Sequence, residues 1–372
     1  MTTDRYQRHS LIDWFSQEDV KQASFAIVGC GAVGNEVAKN LALLGIGRLD
    51  LYDFDKIEVH NLTRSVLFRE GDVGSFKSEK AAARVHDLDP NIEVHSHNGD
   101  FWDTLSFDQA KSYDSIICCV DNFEARIRLN QLCYLAQTNL INTGIDSKFG
   151  QIEVFPFSSG RHVSCYECNL PNSAYERIQQ RYSCGWLKKI SFVEKKIPTT
   201  IITSSLTGSL AVSSALQLIG NNSIHQATRI LIDSFTGRST VSKIEQNDQC
   251  PACSSVNDRV TVIQASAIID RRFWNGLADD EHYLTTSEPI LVSVRCVDCH
   301  PEKEDAEIVF ERALEFDSTL TTCKECGNDS VDVTIKDSFS LSELIASFPG
   351  MKLPSKFVRF DSEDATTIIE LE

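Results

Sequence analysis

The residues in this sequence that could do chemistry are one glycine-rich turn, the polar residues that follow it, and thirteen cysteines. The turn, Gly29-Cys30-Gly31-Ala32-Val33-Gly34, follows an apolar strand pattern and opens a helical one. Glycines there let the backbone turn sharply and approach a phosphate. The helix behind them adds N–H groups and partial positive charge. Asp53 lies about twenty residues on, at the end of the next strand pattern, where a carboxylate accepts hydrogen bonds from ribose hydroxyls. NAD, FAD and ATP sites share this much.

The next segments favour ATP. Asp53-Phe54-Asp55 is followed by Asn61-Leu62-Thr63-Arg64 and then by Gly74-Ser75-Phe76-Lys77. Asn, Arg and Lys donors gathered after the second strand suit a triphosphate, whose charge cations offset. Asp121, just past the fourth strand pattern, falls at the carboxyl edge where ligands bind and can hold Mg²⁺. A nicotinamide oxidoreductase and a non-catalytic binding scaffold are the competing readings.

Together with Arg5-Tyr6-Gln7-Arg8-His9, Asp121-Asn122 and two Cys-x-x-Cys pairs, these motifs resemble the ThiF/MoeB and ubiquitin-activating enzyme superfamily over roughly residues 5–253. The resemblance implies a Rossmann-like adenylating domain and a homodimer in which Arg8 reaches the partner's ATP. It implies that Gly29, Gly31, Ala32, Gly34, Asp53, Asn61, Arg64, Lys77, Asp121 and Asn122 bind Mg·ATP. Asp53 would hold the ribose, Asn61, Arg64 and Lys77 the phosphates, and Asp121 the magnesium. It further implies adenylation of the C-terminal glycine of a β-grasp protein, either ubiquitin-like or a sulfur carrier. One departure is Ser65, where relatives of the molybdopterin type carry glutamine.

Eight cysteines form four Cys-x-x-Cys pairs. Cys165/Cys168 and Cys250/Cys253 predict one structural Cys₄ zinc site, a pairing that the resemblance supports. Cys296/Cys299 and Cys323/Cys326, with the spacing of a zinc ribbon, predict a second. His300 is a spare ligand expected to go unused. Cys184 is unpaired, in a polar stretch between Arg181 and Lys188-Lys189, where nearby cations favour a thiolate. In the resembling families a cysteine of this crossover loop takes the acyl group as a thioester, or forms an acyl disulfide with a sulfur carrier. Cys30, Cys118, Cys119 and Cys133 read as small buried hydrophobes.

The positioning elements follow from periodicity. Strand patterns at Phe25–Val28, Leu49–Tyr52, Ile92–His95, Ser115–Val120 and Leu140–Thr143 alternate with helical ones at Asn35–Leu44, Ser78–Leu88 and Phe123–Ala136. That alternation predicts an α/β fold with a mostly parallel sheet. Gln151–Phe157 reads as a further strand, 171–197 as a crossover loop and Thr199–Ile219 as a helix. Arg229–Asp233 and Ser239–Ile244 read as two more strands. Residues 1–253 are expected to form the adenylation domain. Residues 254–372 are expected to form a smaller α+β domain containing the zinc ribbon, by analogy a β-grasp-like module that recruits a conjugating enzyme. In it, Ile290–Val294 and Thr367–Leu371 read as strands. Ser340-x-x-Glu343 caps a helix with Leu341, Leu344, Ile345 and Phe348 on one face. The compact sulfur-pathway enzymes typically end near the second cysteine pair, so this continuation tilts the reading toward conjugation.

With 42 % apolar and 24 % charged residues, the chain reads as globular. A net charge of −17 argues against nucleic acid or an anionic membrane as the main partner. No apolar run reaches membrane-spanning length and the N-terminus lacks a signal-peptide core, so the expected location is cytoplasmic.

Overall fold

The apolar runs become the inner strands of a sheet. The computed structural model describes residues 5–175, 198–219, 224–256, 260–270, 283–302, 306–313, 322–328, 330–361 and 366–372. They fall into two compact units, one within residues 5–170 and 198–255, the other within 171–175 and 256–372. Among the described residues, no helix is long and apolar enough to cross a membrane.

Among the described residues the first unit carries eight strands: β1 (Ser24–Val28), β2 (Arg48–Tyr52), β3 (Glu93–His97), β4 (Ser115–Cys118), β5 (Asn139–Ile145), β6 (Phe149–Phe155), β7 (Thr228–Asp233) and β8 (Ser239–Lys243). Their order in the sheet is β3-β2-β1-β4-β5-β6-β7-β8. The five strands β3-β2-β1-β4-β5 run parallel, whereas β6, β7 and β8 are antiparallel to their neighbours. Strand β6 stops at Phe155, short of the Phe157 expected, because Pro156 has no N–H to continue the ladder; Phe157–Ser159 is a 3₁₀ turn.

The same residues form seven α-helices: α1 (Gln17–Gln22), α2 (Ala32–Leu44), α3 (Lys77–Leu88), α4 (Phe101–Thr104), α5 (Phe107–Lys111), α6 (Phe123–Ala136) and α7 (Ile201–Leu216). Helix α2 ends at Gly45 in the left-handed region, as its sequence predicts. Helix α7 starts two residues later than its apolar pattern, because the Thr200 side chain accepts the Thr203 N–H as N-cap. Helices α2, α3 and α7 bury their apolar faces with β1 and β2 in one core around Ile27, Val37, Leu41, Leu51, Val85 and Ala211. Contact between α2 and α7 depends on Gly208, where an added Cβ would lie 2.6 Å from Glu36 Cβ.

The N-terminal segment is latched onto this unit. The Tyr6 hydroxyl and the Arg5 guanidinium both reach the buried Asp89, Arg5 at 3.0 Å. The Tyr6 ring lies where a Cβ on Gly45 would be. Burial opposes the charge on Asp89. Hydrogen bonds from Tyr6 and Asn91, with the Arg5 charge, outweigh it and hold the carboxyl below its ordinary value.

Among the described residues the second unit carries a six-stranded mixed sheet built from β9 (Val260–Ala265), β10 (Tyr283–Cys296), β11 (Glu307–Arg312), β12 (Val331–Ser340), β13 (Phe357–Asp361) and β14 (Thr366–Leu371). The order is β11-β10-β13-β14-β9, with β12 also paired to β10. The Ile290–Val294 pattern is only the second part of β10. The strand extends back to Tyr283 across an irregularity that lets β13 and β11 share one of its edges. Helix α8 (Leu341–Ser347) is capped by Ser340, which accepts the Glu343 N–H. Its Leu341 and Leu344, with Phe348 just beyond it, sit in a core with Leu284, Phe339 and Val358, and Phe348 stacks on Phe310 at 4.0 Å.

Gly208→Val is expected to overpack the contact between α2 and α7 and lower stability by about 1–3 kcal/mol. Gly71→Ala, on an open surface, should stay within about 0.5 kcal/mol of wild type; urea midpoints check both. The Asp89 latch gives a pH signature. Because its pKa is depressed in the fold, its stabilisation is present above about pH 4 and is lost as pH falls further. Asp89→Asn should therefore destabilise by about 1.5–3 kcal/mol at pH 7, and the gap should narrow as pH falls below about 4, in urea titrations at pH 7 and at acid pH.

Candidate functional site

Strand β1 lies between β2 and β4, so the strand order reverses there. A crevice outside the carboxyl ends of β1 and β4 is the expected ligand position in such a sheet. The glycine turn leaves β1 at this point. Gly29 has φ +96°, and a Cβ on it would stand 2.7 Å from the Cys119 carbonyl oxygen; one on Gly34 would stand 2.0 Å from the Gly29 oxygen. Both positions therefore require glycine. A Cβ on Gly31 would meet nothing within 4 Å. Gly31 is also the N-cap of α2 and offers no side chain to its N–H groups, which leaves them for an anion.

Asp53 leaves β2 beside this turn. Its carboxylate accepts the Cys30 N–H at 2.6 Å and the Asp55 N–H at 2.7 Å. Burial raises its pKa, against the pull of Lys77 and those two N–H groups. Residues Gly74–Lys77 are pinned along 55–57 by backbone bonds, and Ser78 Oγ donates to the Asp53 carbonyl. Lys77 Nζ is thereby held 2.6 Å from Asp55 and is mostly covered. Asn61 is buried, and its Oδ1 accepts the Glu58 N–H. Arg64 donates to the His60 carbonyl at 2.8 Å and is half-buried. Asp121 is exposed three residues past β4, and Asn122 caps α6 by accepting the Ala125 N–H. Arg8 is exposed at the start of a 3₁₀ turn, His9–Leu11. Cys184 lies outside the described residues.

Two further residues hold these segments together and are not evident from motif reading. Asn35 is fully buried in α2 and bonds both the glycine turn and Leu67. A poor helix former inside an apolar helix pattern is the sequence signal that could have flagged it. Arg126 on α6 donates to the Val120 and Thr143 carbonyls and to Asn142 Oδ1 at 2.5 Å, which fixes the loop leading to Asp121. Asn142 in turn donates to the buried Glu153 at 2.7 Å, and Glu153 pairs with Arg229 at 2.7 Å. Nothing in the helical pattern of α6 distinguishes Arg126 from a surface residue. One turn further along α6, Asn130 accepts the Tyr166 N–H and donates to Glu167, between the cysteines of the first knuckle.

The cysteine pairs meet as their spacing predicts. In the first unit Cys165, Cys168, Cys250 and Cys253 are all buried, with Sγ–Sγ separations of 3.6 Å (Cys165–Cys250), 3.4 Å (Cys168–Cys253) and 3.9 Å (Cys165–Cys168). A tetrahedral ion with Zn–S near 2.3 Å places sulfurs ~3.8 Å apart. In the second unit Cys296–Cys326 and Cys299–Cys323 stand 3.7 and 3.8 Å apart, and this cluster is partly exposed. Backbone N–H groups of Cys326 and Glu325 lower the Cys323 thiol, whereas its sulfur neighbours raise the Cys299 thiol. Both sets resemble structural zinc sites, closed by four protein sulfurs. His300 instead pairs with Glu325 at 3.3 Å.

The family model for ThiF matches residues 5–252, which takes in the glycine turn, Asp53, Lys77, Asp121 and three of the four cysteines of the first cluster, Cys165, Cys168 and Cys250. The chain belongs to the ThiF family. Ubiquitin-like modifier-activating enzyme 5 of Drosophila grimshawi is 31 % identical over 218 residues, covering 55 % of this chain and 52 % of that protein. The chain thus spans about half the length of the first curated relatives it matches. The Drosophila melanogaster enzyme of the same name is 25 % identical over 372 residues, covering 90 % of this chain and 83 % of its own. Adenylyltransferase and sulfurtransferase MOCS3 of Drosophila yakuba is 31 % identical over 170 residues, covering 45 % and 37 %. Among solved structures, E. coli MccB with AMPCPP and MccA superposes with TM-score 0.55 at 25 % identity, over 68 % of this chain and 75 % of that one.

Elemental analysis of the purified chain should give two zinc ions per chain, one for each cluster. A chelator should release them in two phases, the partly exposed second cluster first. Cys326→Ser should abolish only the fast phase in a colorimetric zinc assay.

Proposed function

We propose that the chain binds Mg·ATP in the crevice between β1 and β4 and adenylates the C-terminal carboxylate of a β-grasp protein. The observation that carries this reading is the convergence, at the switch point, of a side-chain-free helix N-terminus, the Asp53 carboxylate and the anchored Lys77. A dinucleotide site uses the first two features. A covered lysine beside them suits a triphosphate. In this reading Asp53 holds the ribose, Asn61, Arg64 and Lys77 surround the phosphates, with Arg64 and Lys77 offsetting their charge, and Asp121 holds magnesium.

The carboxylate oxygen of the carrier protein attacks the α-phosphorus, and the bond to the bridging oxygen breaks as pyrophosphate leaves. Positioning and charge neutralisation supply the rate, with no covalent enzyme intermediate at this step. The Cys184 thiolate then attacks the acyl carbon, AMP departs, and a thioester remains. Arg8 is assigned to the site of a partner protomer in a homodimer. Residues 254–372 are assigned to recruitment of a conjugating enzyme.

Activation for conjugation is favoured over sulfur transfer. The similarity to the Drosophila melanogaster ubiquitin-like modifier-activating enzyme 5 runs through 90 % of the chain, and that to its Drosophila grimshawi counterpart through 55 %, against 45 % for the MOCS3 relative. The MccB structure with a peptide, MccA, supports a site open to a polypeptide terminus.

The test is ATP–pyrophosphate exchange with glycine-ended β-grasp proteins, followed by non-reducing gels. Lys77→Ala and Asp121→Ala should each lower exchange by about 10²–10³-fold. Cys184→Ala should keep exchange and lose a thiol-sensitive adduct. Absence of exchange with every ubiquitin-like and sulfur-carrier candidate would remove the reading. Exchange without an adduct in wild type would reduce it to adenylation alone.

A further inference from the structure

A site for Mg·ATP, the reading on which the role of Asn35 rests, needs two segments in register: the glycine turn and the stretch that carries Asn61 and Arg64. One buried side chain joins them. Asn35 is 0 % exposed in the first turns of α2. Its Nδ2 donates to the carbonyls of Cys30 at 2.7 Å and Gly31 at 3.0 Å, and its Oδ1 accepts the Leu67 N–H at 2.9 Å. Leu67 lies three residues after Arg64, at the end of a segment whose turns are closed by Asn61.

The bonds to the glycine turn have a stereochemical consequence. In a trans peptide the carbonyl and the N–H of one plane point in opposite directions. Drawing the Cys30 and Gly31 carbonyls toward Asn35 therefore turns the N–H groups of Gly31 and Ala32 away from it. Gly31 borders open space, since a Cβ there would meet nothing within 4 Å. Those two N–H groups are the ones a phosphate would use. The opposite end of the same carboxamide fixes the distance from the turn to the Arg64 segment. Donors at one end and an acceptor at the other are both required. A carboxylate would set charge against two carbonyls, and a hydroxyl is too short to span both segments.

We propose that Asn35 is a positioning residue for triphosphate recognition: its carboxamide orients the phosphate-facing N–H groups of the glycine turn and couples them to the Asn61–Leu67 segment. Asn35 is buried and touches no substrate itself, so its effect must appear in the phosphate part of the ligand rather than the nucleoside part.

The experiment compares full-length wild type, Asn35→Asp and Asn35→Ser. Each is titrated calorimetrically with a non-hydrolysable ATP analogue plus magnesium, and separately with adenosine. Asn35→Ser removes the link to Leu67 without burying a charge, so it keeps the test available if Asn35→Asp does not fold. Cooperative urea unfolding verifies that each variant is folded. The expected result is affinity for the ATP analogue lowered by about ten- to a hundredfold, with adenosine changed by less than about threefold. A purely structural role would move both ligands together. An unchanged ratio of the two affinities in a folded variant overturns the assignment. A wild-type chain that binds adenosine and the ATP analogue equally, or binds neither, overturns the nucleotide reading itself and the assignment with it.

Discussion

The first unit depends on one close approach, that of the turn after β1 to the turn after β4. A single added methyl group on Gly29 would stand 2.7 Å from the Cys119 carbonyl oxygen, and one on Gly34 would run into the turn itself. With those methyl groups absent, α2 can start immediately at the end of β1 and aim its unpaired N–H groups along the crevice. The residues named by motif are carried on the segments that leave the neighbouring strands. The segment after β2 supplies Asp53, the bend back along 55–57 supplies Lys77, and the loop after β4 supplies Asp121.

Such a site needs its loops held still, and the structure does this with buried polar side chains as well as with the apolar packing of Ile57, Leu67 and Phe68. Asn35 spans the glycine turn and Leu67. Arg126 spans the ends of β4 and β5, and is itself oriented by Asn142, Glu153 and Arg229 across β5, β6 and β7. Each such group is hydrogen-bonded, as burial demands, and directional bonds fix loop position more sharply than dispersion contacts do. Asn122, Arg126 and Asn130 lie a helical turn apart on α6. That one helix face connects the Asp121 loop at its start to the first cysteine knuckle further along.

The two cysteine clusters differ in setting. The first closes a gap between residues far apart in sequence and is wholly buried, so it acts as a staple between the end of the β6 region and the end of the unit. The second sits where β10 ends and β12 begins, with Cys296 opposite Val331, and is partly exposed. A metal held there would clamp the base of a long two-stranded ladder whose other end is covered by α8.

Much of this was legible in the sequence. The order of strands and helices, the GxGxxG context, the carboxylate after β2 and the fourfold Cys-x-x-Cys pattern are local. A 3.6- or 2-residue period, a φ only glycine adopts, and a two-residue knuckle spacing are each written within a few neighbours. What tertiary structure decided is non-local. The antiparallel turn of β6 to β8, the length of β10 and the partition of its edge between β11 and β13 depend on which edges remain free once other strands have paired. Arg126 reads as an ordinary helix residue, and Asn35 shows only as a poor helix former, because their partners are carbonyls and amides of loops placed only when the sheet and helices have packed. The residues named by motif carry the chemistry, and the residues that aim them were set by packing, since a hydrogen bond across 32 positions, such as that between Asn35 and Leu67, has no local signature.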